Sequence, residues 1–395
     1  MTGTRRADLA GYAAREFAGL YGAPPAGVWS APGRVNLMGE HTDYNAGLCL
    51  PIALPHRTFA AAAARDDGRF RVHSAQEGAS WEGSISDVGP GQPVGWAAYV
   101  AGVPWAMAEA VGTELPGLDL WVDGHVPVGA GLSSSAALEC AVAVALDDLA
   151  GLGLATTDGG RARLAAACDR AENVVAQAPT GGMDQAASLR CTEGHALLLD
   201  CRDRSVEQVP LDIASHWLAW LVIDTRAAHQ LVDGQYGERR ATCEAAAALL
   251  GLPSLREVPA DRLDAALARL PDDVMRRRVR HVVTEIERVR QTVMLLRAGR
   301  VAELGPVLDA SHLSMRDDYE ISCEELDLAV ESACAAGALG ARMTGGGFGG
   351  SAIALVPEDR QDDIGQAVES AFAAAGFTAP GIIRAYPAGG AGRDL

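Results

Sequence analysis

Residues Val126 to Ala137 read VPVGAGLSSSAA, a glycine and serine loop opening an apolar helical run in a chain of 395 residues that contains no lysine. All 33 residues of its Lys+Arg count are arginine. A phosphate held at this loop must therefore rest on backbone N–H groups, hydroxyls, a helix N-terminus and a metal ion. A P-loop needs the lysine of G-x-x-x-x-G-K-[ST], and a protein kinase needs a strand lysine against the α/β-phosphates. Both are excluded. Glycines at 129 and 131 allow positive φ and close backbone approach, and the serines add donors, one of which can ligate Mg²⁺ without adding negative charge. Serine also favours helix N-caps, so the same pattern suits a plain cap on a tight turn.

Working outward, Leu118, Leu120 and Val122 alternate as a strand feeding the loop, and Ser134 to Leu149 continues it as an apolar helix. Upstream, Leu9, Tyr12, Ala13, Phe17 and Leu20 recur at helical spacing, Gly27 to Arg34, Cys49 to Ala64 and Arg69 to Ser74 read as strands, and Trp96 to Ala110 as a helix. Downstream, Leu164 to Val175 has a helical core face, Leu197 to Leu199 and Trp217 to Ile223 are buried strands, and Glu238 to Ala302 is mostly helical with breaks at Gly251 to Pro253 and at Pro271. The length exceeds one ordinary core, and a composition shift at 205–212 divides the chain into residues 1–208 and 209–395 with a cleft between them.

A net charge of −18 opposes nucleic acid and anionic membrane as partners. The run Arg276-Arg277-Arg278-Val279-Arg280 is accordingly read as a solvated helix face. Eight cysteines form no C-x-x-C pair, the histidines form no H-E-x-x-H, and no apolar run nears the ~20 residues of a membrane span. Charged residues interrupt the N-terminus where a secretory segment would be apolar, so a reducing, cytoplasmic setting is expected.

Three further constellations carry chemistry. In Ala31 to Asn45, APGRVNLMGEHTDYN, residues Glu40, His41 and Asp43 concentrate acceptors suited to sugar hydroxyls, although a metal site or a solvated loop would use the same residues. Glu172 and, twelve residues on, Asp184 in GGMDQ provide one carboxylate for a metal and one for a reacting hydroxyl, with Arg34 as counter-charge for Asp184. Glu172 on a solvent face and Asp184 as a helix cap is the plainer alternative. Finally, Thr344 to Gly350 packs five glycines before the apolar strand Ser351 to Val356, fit for close backbone contact or for a flexible turn.

Together these segments resemble the three signature motifs of the GHMP kinase superfamily, which includes galactokinases, homoserine kinases and mevalonate kinases. GRVNLMGEHTDYNAG resembles the motif particular to galactokinases. The resemblance spans residues 31 to 356 and implies a two-domain α+β fold, with a ribosomal-protein S5-like N-terminal domain, a ferredoxin-like C-terminal domain and the active site between them. It implies ATP and Mg²⁺ as co-substrate and cofactor, and transfer of the γ-phosphate to the anomeric hydroxyl of galactose. By the same resemblance Gly129, Ala130, Gly131, Leu132, Ser133, Ser134 and Ser135 form the phosphate loop, Ser135 and Glu172 hold the metal, and Ser74 is a further nucleotide contact. Glu40, His41, Thr42, Asp43, Gly181 and Tyr236 would contact the sugar, and Asp184 would be the base with Arg34 its partner. Where the family usually reads P-C-G-I-M-D-Q, this chain reads Pro179-Thr180-Gly181-Gly182-Met183-Asp184-Gln185, which implies a looser wall beside the sugar. A same-fold kinase of N-acetylgalactosamine or arabinose, and a non-catalytic sensor of sugar and ATP, are the alternatives. The resemblance sets no oligomeric state, and a monomer suffices.

Overall fold

The N-terminal helix Gly3–Tyr21 turns Ala10, Ala13 and Phe17 inward against Val28, Phe59, Ala61 and Trp121. Tyr12 and Leu20, expected on that face, are exposed instead, so the buried stripe is rotated and narrower than the periodicity indicated. The structure, a computed structural model, describes residues 3–178, 180–227 and 232–395. Pro179 therefore lies outside the described residues.

The helix covers one face of a six-stranded sheet. In spatial order the strands are Gly392–Arg393, Gly27–Asn36, Pro51–Arg65, Gly117–Gly124, Arg69–Ser74 and Ala79–Ser84. All neighbours are antiparallel except Gly117–Gly124 with Arg69–Ser74. On the other face pack the helices Trp96–Val111, Ser134–Leu149 and Asp158–Arg170, closing a core around Trp29, Val103, Leu120 and Cys140. The helix expected to run through Val175 instead ends at Arg170 and continues as a π-turn, Ala171–Val175. Such single-turn bulges re-aim side chains, and this one carries Glu172.

The second sheet has the spatial order Gly340–Thr344, Ser351–Pro357, Leu218–Asp224, Gly381–Ala385, antiparallel throughout. Along the chain, the helices Asp273–Arg297, Gly305–Leu313 and Glu324–Ala335 lie between Leu218–Asp224 and Gly340–Thr344, and Gln361–Ala375 lies between Ser351–Pro357 and Gly381–Ala385, which is the ferredoxin-like arrangement. Its apolar strands sit at the centre of the largest core cluster. The composition shift at 205–212 falls on the edge strand Ser205–Pro210, which pairs with His195–Asp200 in a small third sheet with Leu48–Cys49. The chain is thus α+β as expected, with its last strand returning to the first sheet. No described helix is long and apolar enough to cross a membrane, and all eight cysteines are free thiols.

Candidate active site

The strand Gly27–Asn36 shifts register between Pro32 and Arg34, and the glycine and serine loop packs against Gly33 there. A Cβ on Gly33 would stand 2.5 Å from the Leu132 carbonyl oxygen, so the loop approaches only because residue 33 has no side chain. The Arg34 backbone N–H donates to that carbonyl at 3.0 Å. Its guanidinium donates to the Gly131 carbonyl at 2.6 Å and, through Nε and Nη2, to both carboxylate oxygens of Asp184 at 2.8 Å each. Ser351 Oγ donates to the Ala130 carbonyl at 2.6 Å. Three consecutive loop carbonyls are thereby pinned from the protein side.

Gly129, Gly131 and Ser133 all take positive φ before the helix Ser134–Leu149 begins. For Ser133 this is a strained choice for a residue with a side chain. Its outcome is a 2.5 Å hydrogen bond from Ser133 Oγ to Asp184 Oδ2. The Ser133 hydroxyl, expected as a nucleotide donor, is thus engaged with the carboxylate of Asp184, which opens the helix Met183–Arg190.

Arg34 and Asp184 line a cavity of roughly 510 Å³ together with Glu40, His41, Asp43, Gly181, Tyr236 and Gly346. Glu40 is fixed by Asn36 Nδ2 at 2.8 Å, Thr344 Oγ1 at 3.0 Å and the Gly345 N–H at 2.9 Å, with the buried Arg342 guanidinium 3.4 Å away. His41 Nε2 is 3.1 Å from the Gly346 carbonyl and Nδ1 2.7 Å from Tyr44 Oη. Burial, reinforced by His281, drops its pKa to about 3, so the ring is neutral. A carbonyl only accepts; the proton therefore sits on Nε2 and Nδ1 accepts from Tyr44. Tyr236 stacks its ring 5.1 Å from that of His41.

Asp43 stands against Gly181, where a Cβ would come within 2.1 Å of its carboxylate oxygen. Burial, helped by Asp184 and Glu40 and opposed by the Tyr44 backbone N–H, lifts the Asp43 pKa to about 6. One expected sugar contact falls elsewhere. Thr42 is buried, its single O–H donating to the Leu48 carbonyl at 2.7 Å with the Gly39 carbonyl 3.0 Å away, so it shapes the loop rather than lining the cavity. Ser74, expected as a nucleotide contact, is buried at the end of the strand Arg69–Ser74 and accepts from the Glu77 N–H at 3.3 Å; like the loop 129–135, it lines neither this cavity nor the larger one beyond it.

Glu172 lies behind the loop. Its Oε2 accepts from Gln185 Nε2 at 2.5 Å and Thr180 Oγ1 at 3.3 Å, and the Ser135 hydroxyl is also bonded to the carboxyl. Burial and the charge of Asp184 raise its pKa to about 7. Thr180, at a departure from the family pattern, thus supplies a donor to Glu172. Beyond the Thr180, Gly181 and Gly182 wall lies a second cavity of roughly 630 Å³, which shares those residues and Asp43 with the first.

Sequence reading missed Asn36, Arg342 and Thr344 as the support of Glu40, and Tyr44 and Gln177 beside the sugar loop. Asn36 and Tyr44 lie within Ala31 to Asn45 and Thr344 opens the glycine run to Gly350, but the glycines and acids beside them carry the stronger signal.

The galactokinase galactose-binding signature matches residues 15–64, the GHMP kinase N-terminal domain residues 98–191 and the GHMP kinase C-terminal domain residues 293–374. The galactokinase of Streptomyces coelicolor is 54% identical over 387 residues, 98% of each chain. The human galactokinase is 43% identical, covering 89% of this chain and 88% of that one. The crystal structure of Lactococcus lactis galactokinase complexed with galactose superposes with a TM-score of 0.90 at 31% identity, covering 98% of this chain and all of that one. The Methanococcus jannaschii mevalonate kinase shares the fold, with a TM-score of 0.62 at 12% identity over 91% of this chain and 98% of that one. The chain belongs to the galactokinase family of the GHMP kinases.

Proposed function

We propose that the chain transfers the γ-phosphoryl group of ATP to the C1 hydroxyl of galactose, giving galactose 1-phosphate and ADP. The observation that carries this reading is the placement of Asp184. It lines the acceptor-rich cavity, gripped by Arg34 and bonded to Ser133 of the loop 129–135. A sugar hydroxyl and a terminal phosphate can therefore meet at one carboxylate.

Within that reading Glu40, His41, Asp43, Gly181 and Tyr236 orient the sugar, and Asp184 orients the C1 hydroxyl and accepts its proton. The loop 129–135 cradles the phosphates through N–H groups at the start of its helix. Phosphoryl transfer has a loose transition state whose cost is mainly charge, so positioning and the Arg34 guanidinium supply much of the acceleration. The residues behind the loop fit a divalent cation. Glu172 is a buried carboxyl bonded only to neutral donors, its pKa is raised, and the Ser135 oxygen is beside it. Ser135 and Glu172 would hold Mg²⁺, which when bound neutralises phosphate charge. Among the described residues no three His, Cys, Asp or Glu side chains cluster as a metal site.

We divide the chain at 208/209, with the C-terminal strand returning to the first sheet, and place the protein in the cytoplasm, where its thiols stay reduced. ADP release measured against galactose, N-acetylgalactosamine and arabinose tests the assignment. Galactose should dominate by kcat/KM. A better rate with either other sugar, or none with any, contradicts it.

The Asp43 shift gives a pH prediction. A carboxyl whose pKa lies near 6 in the unliganded protein must lose its proton to serve as an anionic acceptor for sugar hydroxyls. Galactose affinity should be flat above pH 7 and fall by about tenfold per pH unit below 6. Calorimetric titration between pH 5 and 8 checks this, and an affinity that stays level down to pH 5 contradicts it.

A further inference from the structure

Behind Glu172 lies a fully buried amide that none of the roles above employs. Gln185 Nε2 donates to Glu172 Oε2 at 2.5 Å and to Glu139 Oε2 at 3.0 Å. Both Gln185 and Glu139 are wholly inaccessible. Their other oxygens, Gln185 Oε1 and Glu139 Oε1, are buried with no hydrogen-bond partner. Buried polar atoms are seldom left so, and two orphans in one contact pair call for an explanation.

The three elements involved are those of the candidate phosphoryl-transfer site. Glu139 follows Ser135 by four residues in the helix Ser134–Leu149, which places both on one helical face. Glu172 belongs to the π-turn, and Gln185 adjoins Asp184 in the helix Met183–Arg190. One amide thereby links the loop helix, the Glu172 turn and the Asp184 helix. Its orientation is set by Glu172, since the flipped amide would aim its oxygen at that carboxylate.

We propose that Gln185 and Glu139 are a positioning pair that fixes the Glu172 carboxylate beside Ser135 and sets its distance from Asp184. Neither residue touches a reactant. The two orphaned oxygens are accounted for when Glu139 is a neutral acid. Its Oε1–H then donates to Gln185 Oε1 while Gln185 Nε2 donates back to Glu139 Oε2, closing a ring of two hydrogen bonds that leaves the second amide proton for Glu172. Burial, with the charge of Glu172, pushes Glu139 in that direction. The inference rests on the kinase reading and on Glu172 as a metal ligand.

Galactose phosphorylation by the unaltered chain is measured first, and its absence would sink the kinase reading alone. The positioning pair is then tested by Mn²⁺ binding to the ADP complex, followed by paramagnetic resonance without sugar, alongside calorimetric galactose binding and kcat. Gln185→Met should weaken Mn²⁺ binding and lower kcat by roughly 10- to 100-fold, as losing an outer-shell partner does, with galactose affinity within twofold of the parent. Glu139→Gln preserves both bonds of the ring and should match the parent in all three measurements. If Gln185→Met does not fold, Gln185→Asn, which keeps the amide but withdraws it by one methylene, should show the same selective loss. Unchanged Mn²⁺ affinity in the Gln185 variant overturns the proposal, as does a parallel loss of Mn²⁺ and galactose binding. A Glu139→Gln variant as impaired as Gln185→Met also overturns it.

Discussion

Replacing Asp184 by asparagine should lower kcat by roughly 10²-fold or more while galactose affinity changes little. The parent carboxylate takes two hydrogen bonds from Arg34 and one from Ser133. An asparagine keeps one acceptor oxygen but turns an NH₂ toward one of these donors, and it cannot take up the proton of the C1 hydroxyl. Glu40, His41, Asp43 and Tyr236, the proposed sugar contacts, line the same cavity and are untouched by the substitution. ADP release and galactose calorimetry on the same preparation separate the two effects. Parent-like turnover would remove Asp184 from the base role.

Arg342→Met should destabilise the fold by about 3–5 kcal/mol, the cost of stranding buried charges when their partner is removed. Arg342 is completely buried, 3.4 Å from Glu40 and 3.7 Å from Glu285. Burial pushes Glu285 upward, yet Arg342, with Arg288, His281 and the Gly39 N–H, outweighs it and lowers its pKa from 4.5 to about 2. A carboxyl depressed on folding contributes stability above its unfolded pKa, lost as pH falls through the folded one. The deficit of the variant should therefore be greatest near neutral pH and shrink between about pH 4.5 and 2. Urea unfolding at pH 7 and pH 4 checks both size and sign. A loss under ~1 kcal/mol at pH 7 contradicts the account of this cluster.

What could be read from the chain was what adjacency encodes. The loop at 126–137 and the Glu40 to Asp43 run declare their chemistry within a few residues, and the strand and helix flanking the loop follow from periodicity. The support of Glu40 was not readable that way, because Arg342 and Thr344 lie some three hundred positions downstream and reach it only through the crossing of two sheets. Thr42 illustrates the opposite failure. Its place in an acceptor-rich run marks it as a contact, yet its hydroxyl is spent on the turn that presents its neighbours.

Elements were missed for related reasons. The strand Ala79–Ser84 is an exposed edge without apolar alternation, and Gly381–Ala385 is a five-residue edge strand. The π-turn at Ala171–Val175 leaves the helical pattern nearly intact while changing which way Glu172 points. Periodicity reports which residues are apolar. It does not report a one-residue insertion in the hydrogen-bond ladder.

In the proposed reaction one carboxylate, Asp184, joins a sugar cavity to a phosphate loop built without lysine, and a crystal structure of the protein with galactose and a non-hydrolysable ATP analogue tests that junction. The account predicts the C1 hydroxyl within hydrogen-bond distance of Asp184 and facing the terminal phosphate, with the nucleotide on residues 129–135. The two ligands seated in separate cavities, or C1 turned away from Asp184, would contradict it.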